Sequence, residues 1–145
     1  MTLHAVRWSC DRREVHRGSH MVLGVGTDLI EIARIEKSVA RFGDHFLDRV
    51  FTSGEIAYCR QKKHAAESLA ARFAAKEAGA KALGTGISRG ITWKEIEVRR
   101  NPGERPTLHF SGRAAERAKQ MGVKRLSLSL SHSRDVAFAV VIAED

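Results

Sequence analysis

Two cysteines in 145 residues, Cys10 and Cys59, are too few and too far apart for a disulfide framework or a cysteine zinc site. They read as free thiols in a reducing cytoplasm. Aromatic residues make up only 6% of the chain, and no stretch interleaves them with basic residues as a nucleic-acid stacking platform would. No apolar run approaches the ~20 residues of a membrane span. The start of the chain has neither an apolar core nor a small-residue cleavage site, so no secretory signal is expected. His45, His64 and His109 lack metal-ligand spacing to one another. There is no nucleophile elbow, and Gly84-Thr85-Gly86-Ile87 is not followed by the Lys-Ser/Thr of a P-loop.

What is present is ordinary globular composition, 43% hydrophobic and 29% charged, in one domain's length. The net charge is +8, from 25 Lys+Arg against 17 Asp+Glu. That surplus favours a polyanionic partner: nucleic acid, an acidic protein or a phosphate-rich small molecule. Charge alone favours nucleic acid; the missing aromatics argue against it. Residues 1–20 stand apart, with three of the seven histidines, four arginines and no apolar periodicity. Residues 18–21 read GSHM, so the segment 1–20 reads as a cloning remnant or an upstream start ahead of Met21, disordered and outside the fold. The domain proper is then 21–145, and it keeps 21 basic and 15 acidic residues, a net +6.

Periodicity lays out the elements. Val22–Leu29 reads as a strand, its glycines Gly24 and Gly26 marking close approach by a neighbour or a ligand. Ile30–Phe42 reads as a helix, with apolar residues at Ile32, Ile35, Val39 and Phe42. Asp44–Phe51 is a short helix or turn. Thr52-Ser53-Gly54-Glu55 is a capping box that opens a helix to about Arg60. Ala65–Leu83 is a long alanine-rich helix, stopped by Gly84. Strands follow at Ile91–Arg99 and Thr107–Phe110, then a helix Gly112–Met121 with Ser111 at its N-cap. Arg125–Ser131 alternates leucine with serine, and Val136–Ile142 is a valine- and alanine-rich strand beyond the turn Ser133-Arg134-Asp135. The expected class is α+β with a mainly antiparallel sheet.

Four groups of residues can carry chemistry. Asp28 ends the first apolar strand; it is either an N-cap for the next helix or a ligand for a hard cation such as Mg²⁺. Glu77 and Lys81 share one side of the long helix with Ala70 and Ala74, while Arg72, Lys76 and Leu83 form a separate stripe. Small alanines flanking Glu77 and Lys81 leave room for something bulky. The bland alternative is an i,i+4 pair on a solvated face, worth ~0.2–0.5 kcal/mol. The functional one sets a metal-binding carboxylate one turn from a phosphate-neutralising ammonium, the minimum kit for phosphoryl transfer. His132, flanked by Ser131 and Ser133, is a surface histidine or a phosphate or ribose contact. Arg34 and Arg41 lie seven residues apart on one helix face; they form a solvated face or a docking strip for an acidic helix, with Glu31 and Glu36 diluting the strip.

In this order the segments GVGTDLIEIARIE, FTSGEIAYC, ARFAAKEAGAKALGTGI, WKEIEV, NPGERPTLHFSG and LSLSHSRDVAFAVVI resemble the bacterial holo-acyl-carrier-protein synthases. The resemblance runs from about Met21 to about Ala143, and its first and third segments are the specific ones. It implies the 4′-phosphopantetheinyl transferase fold, a homotrimer with active sites at subunit interfaces, and transfer of 4′-phosphopantetheine from coenzyme A to a serine of acyl carrier protein for fatty acid biosynthesis. By the same resemblance Asp28 and Glu77 hold Mg²⁺, Lys81 neutralises the coenzyme A pyrophosphate, and His132 lines the coenzyme A site. Arg72 and Lys76 match family positions as further coenzyme A contacts, and the basic loop Gln61-Lys62-Lys63-His64 falls where the family carries charge. Arg34 meets acidic residues of the carrier protein, with Arg41 beside it. The rival readings are a coenzyme A-binding protein without transferase activity and a basic nucleic-acid-binding module.

Overall fold

The computed structural model describes residues 20–145; the extension drawn at 1–20 lies outside the described residues apart from His20. Five strands and five α-helices follow in chain order: β1 (Val22–Glu31), α1 (Ile32–Phe42), α2 (Asp44–Val50), α3 (Ser53–Arg60), α4 (Ala65–Ala82), β2 (Ile96–Arg99), β3 (Thr107–Phe110), α5 (Gly112–Met121), β4 (Arg125–His132) and β5 (Val136–Glu144). β1, β5 and β4 form one antiparallel sheet in that order, and β2 and β3 form an antiparallel ribbon. The class is α+β, as the alternation of apolar patterns predicts. Among the described residues no helix is long and apolar enough to cross a membrane.

The glycine spacing of β1 finds its cause in α4. A Cβ at Gly24 would overlap the Ala82 carbonyl, and one at Gly26 the Ala78 carbonyl. Two glycines on the strand and a row of alanines on the helix let the two backbones approach closely. Across the sheet Ala137, Ala139 and Val141 of β5 meet the same helix, all fully buried. Ala78 and Ala82, beside Glu77 and Lys81, therefore make room for the strand, which is the bulky neighbour that the small residues admit. The other side of α4 receives the ribbon, where Gly79 lies against Ile96 and Leu108.

Boundaries shift where a neighbour outvotes local pattern. β1 runs on to Glu31 because its register with β5 continues to the pair Glu31–Val136. Asp28 is thus inside the strand and caps nothing; the N-cap of α1 is Glu31, with no side-chain cap bond. The strand expected from Ile91 starts only at Ile96, because Thr92 and Glu95 form a second capping box around a 3₁₀ turn at Trp93–Glu95. Ser111 does hold the N-cap of α5, but its hydroxyl makes no cap bond; Glu95 Oε1 accepts the Arg113 amide instead, at 3.0 Å. The first capping box, Thr52 with Glu55, forms as expected, and Gly84 takes the left-handed conformation past the end of α4 at φ +73°.

The outer face of the three-stranded sheet carries Val25 and Leu29 of β1 beside Ile142 and Phe138 of β5, with Ser127, Ser129 and Ser131 of β4 in the same rows. Val25, Leu29 and Phe138 are exposed there.

Candidate active site

Asp28 and Lys81 meet where β1 crosses the C-terminal half of α4. β1 alternates, so Asp28 turns to the helix side with Gly24, Gly26 and Ile30. Lys81 Nζ donates to Asp28 Oδ1 at 2.9 Å and to the Thr27 carbonyl at 2.9 Å. The Asp28 side chain is 16% exposed and that of Lys81 49%. Glu77, one turn before Lys81 and half-buried, feels both. Burial, and then the negative charge of Asp28, push its carboxyl above the ordinary range, with Lys81 opposing in part. Two carboxylates held close enough to repel, with a single ammonium between them and the solvent, form a site short of positive charge.

That donor set fits a hard divalent cation. Mg²⁺ is characteristically bound through one or two carboxylates plus phosphate oxygens and water, without an all-protein cage. The described residues hold no group of three or more His, Cys, Asp or Glu able to cage a metal; Asp28 and Glu77 are the two carboxylates here that could share one with a ligand's phosphate oxygens and water.

Lys76 goes elsewhere. Its ammonium and the Glu55 carboxylate are both 0% exposed and 2.8 Å apart. Lys76 also donates to the carbonyls of Trp93, at 3.0 Å, and Ile96, at 2.7 Å. With every N–H used inside the core, Lys76 ties α4 to α3 and β2 and has none left for coenzyme A. This corrects the expectation of a coenzyme contact at that residue. Glu55 in turn accepts the amides of Thr52, at 3.1 Å, and Val98, at 2.7 Å. The capping box was legible in the sequence; the second role of its glutamate was not, because nothing local says which helix α3 packs against.

Arg72 is different. It is buried and stacked over the Tyr58 ring at 4.0 Å, and its Nε has no hydrogen-bond partner among the described residues. It lines a cavity of about 230 Å³ that adjoins a larger one of about 510 Å³, the two sharing Gly54, Tyr58, Arg100 and Asn101. Lys62 lies over the same ring at 4.6 Å. Burial raises the Tyr58 hydroxyl, but the hydrogen bond from Lys62 and the charges of Arg100, Lys62 and Arg72 outweigh it and leave it below its usual value. This paired cavity is a basic cleft with an aromatic wall. Its Tyr58 and Arg100 went unnoticed in the sequence, where forty residues separate them. Cys59 beside it is inert, its thiol pushed up to about 11 by burial.

His132 closes β4 with its Nδ1 3.8 Å from Glu67 Oε2, an ion pair only when the imidazole is protonated. Glu67 and Glu77 are ten residues apart on α4, roughly 15 Å along its axis. Within one chain, therefore, Asp28, Glu77 and Lys81 come together and His132 does not join them. Arg34 and Arg41 are exposed on α1, directly after the strand that carries Asp28, with Arg41 over the Phe42 ring at 5.1 Å.

Known proteins match this chain over most of its length. The family model described as the 4′-phosphopantetheinyl transferase superfamily matches residues 24–141. The holo-[acyl-carrier-protein] synthase of Koribacter versatilis is 53% identical over 125 residues, covering 86% of this chain and 100% of that protein. One from Chlamydia trachomatis is 52% identical over 123 residues, covering 85% and 100%. Among solved structures, the holo-[acyl-carrier-protein] synthase of Neisseria meningitidis superposes with a TM-score of 0.79 at 34% identity, covering 86% of this chain and 100% of that one. The Helicobacter pylori synthase in complex with coenzyme A does so with a TM-score of 0.73 at 37% identity, covering 82% and 98%.

Proposed function

Because the chain belongs to the 4′-phosphopantetheinyl transferase superfamily, we propose that it transfers the 4′-phosphopantetheine of coenzyme A to a serine hydroxyl of acyl carrier protein. The observation that carries this reading is the meeting of Asp28, Glu77 and Lys81 at the crossing of β1 and α4. The serine oxygen bonds to the phosphorus that bears pantetheine. The bond from that phosphorus to the adenosine 3′,5′-bisphosphate oxygen breaks, its electron pair leaving with the bisphosphate, and the serine proton passes to water. Negative charge grows on the departing phosphate, and the Lys81 ammonium is a cation at hand to meet it. Asp28 and Glu77 would hold a Mg²⁺ ion, whose chemistry there is to polarise the phosphoryl group and neutralise the pyrophosphate.

The nucleotide end of coenzyme A carries a 3′-phosphate and a flat base. The basic cleft of Lys62, Arg72 and Arg100 beside Tyr58 has the charge and the aromatic wall to take both. The unpartnered Nε of Arg72 leaves a buried donor for such a ligand. This reading keeps Arg72 as a coenzyme contact and drops Lys76.

A homotrimer with interfacial sites is part of the proposal. The exposed apolar rows of the sheet offer a surface for self-association. The separation of His132 from Asp28 suits a site completed by a neighbouring copy. Arg34 and Arg41 are the docking strip for the acidic carrier protein, and the enzyme works in the cytoplasm, in fatty acid biosynthesis. Incubation with coenzyme A, Mg²⁺ and apo-acyl carrier protein tests the function: the intact mass of the carrier protein rises by one phosphopantetheine. An unchanged mass with coenzyme A still bound leaves a binding protein, and binding of nucleic acid in place of coenzyme A leaves a basic module.

A further inference from the structure

We infer that Lys81 is the resident counter-cation of the carboxylate pair, and that it gives up Asp28 when a divalent cation enters and turns to the phosphate that arrives with it. This rests on the reading of Asp28 and Glu77 as metal ligands. Lys81 Nζ occupies one oxygen of Asp28, the residue that reading assigns to the metal, at 2.9 Å. Asp28 is mostly withdrawn from water, and a desolvated carboxylate needs a cation or donors at hand. Lys81 meets that need, and it also partly offsets the repulsion between Asp28 and Glu77.

The pair is built to separate. An ammonium and a divalent cation at one carboxylate repel each other. Lys81 is half-exposed on a flexible four-carbon stem, and its second bond, to the Thr27 carbonyl, is to a neutral acceptor on an edge strand. Nothing encloses it as the core encloses Lys76. The exchange conserves bonds: Asp28 trades an ammonium for a divalent cation, and Lys81 trades a carboxylate for a phosphate oxygen. Free enzyme should therefore bind metal weakly by itself and more tightly once coenzyme A gives Lys81 somewhere to go.

Mn²⁺ serves as the probe, with free ion read from its electron paramagnetic resonance amplitude. Without coenzyme A, Lys81→Met is expected to bind Mn²⁺ on the order of tenfold more tightly than the parent, the scale of one screened unit charge acting on a divalent ion at close range. Lys81→Arg, which keeps the charge, is expected to bind as the parent does. With coenzyme A present, the parent is expected to gain more Mn²⁺ affinity than Lys81→Met. Equal or weaker binding by Lys81→Met without coenzyme A overturns the inference, as does equal tightening by Lys81→Arg. An equal coenzyme A effect in parent and Lys81→Met overturns the turn to phosphate. Asp28→Asn and Glu77→Gln separate the two levels. If neither lowers Mn²⁺ binding, the metal reading falls and the exchange falls with it. If both lower it while Lys81→Met fails to raise it, the metal reading stands and the exchange alone is wrong.

Discussion

Lys76 and Lys81 stand five residues apart on one helix, and each makes an ion pair of nearly the same length, 2.8 Å to Glu55 and 2.9 Å to Asp28. Distance does not separate them; enclosure does. The Lys76 pair has no exposure at either end, and its two groups share four further bonds to backbone amides and carbonyls. The Lys81 pair keeps one end half in water. A fully enclosed pair with every donor used is fixed, since removing one member strands a buried charge. A pair open on one side can change partners at small cost. The helix thus carries a closed fastening on its α3 side and an ion pair open to solvent on its β1 side. The KE pair at Lys76-Glu77 is the point where the two faces divide.

The contrast can be broken or sharpened by four variants, taken from the largest free-energy effect to the smallest. Lys76→Met strands the Glu55 carboxylate and should cost about 3–5 kcal/mol of stability in denaturant unfolding, with coenzyme A affinity kept wherever the chain stays folded. A loss under ~1 kcal/mol would mean the pair is not the fastening described. Lys81→Met should do the reverse. Turnover should fall ~10²-fold, as for loss of one charge-stabilising group, while unfolding shifts by less than ~1 kcal/mol.

Arg34→Glu tests the docking strip. The KM for carrier protein should rise about tenfold and the salt dependence of kcat/KM should weaken, with the KM for coenzyme A unchanged. An effect on coenzyme A larger than that on carrier protein would move Arg34 to the nucleotide site. Glu77→Gln should give the smallest change in stability, and it has a distinctive sign. Burial and Asp28 hold the Glu77 carboxyl above its ordinary range, so the folded chain binds that proton more tightly than the unfolded chain does. Its contribution to stability is present at acid pH and lost as pH rises through the folded-state value. A permanently neutral glutamine should therefore raise Tm slightly at neutral pH and leave it unchanged at acid pH.

Much of this was legible in the sequence where the cause is local. The capping box at Thr52, the leucine–serine alternation of β4 and the left-handed Gly84 all follow from neighbours within a few residues. Asp28, Glu77 and Lys81 were legible as candidates, because a carboxylate in an apolar strand and a Glu-Lys turn on an alanine helix need an explanation. What the sequence left open was contact. The alanines of α4 suggested room for something bulky without saying what, and Ala78 and Ala82 seat Gly26 and Gly24. Lys76 was expected as a coenzyme contact because the family resemblance implies one there, but only the packing of α3 and β2 shows the helix to be closed around Lys76 and open around Arg72. The basic cleft escaped notice because Tyr58 and Arg100 converge through tertiary structure.

We propose that Asp28 and Glu77 together make the transferase site. That is tested most directly by following the intact mass of apo-acyl carrier protein with coenzyme A and Mg²⁺, using Asp28→Ala and Glu77→Ala enzymes confirmed as folded by circular dichroism. The account predicts one phosphopantetheine added by the parent and none within the same time course by either variant, a loss of ~10³-fold or more for removal of a ligand to the ion that stabilises the transition state. Transfer by either folded variant at near the parent rate would contradict it.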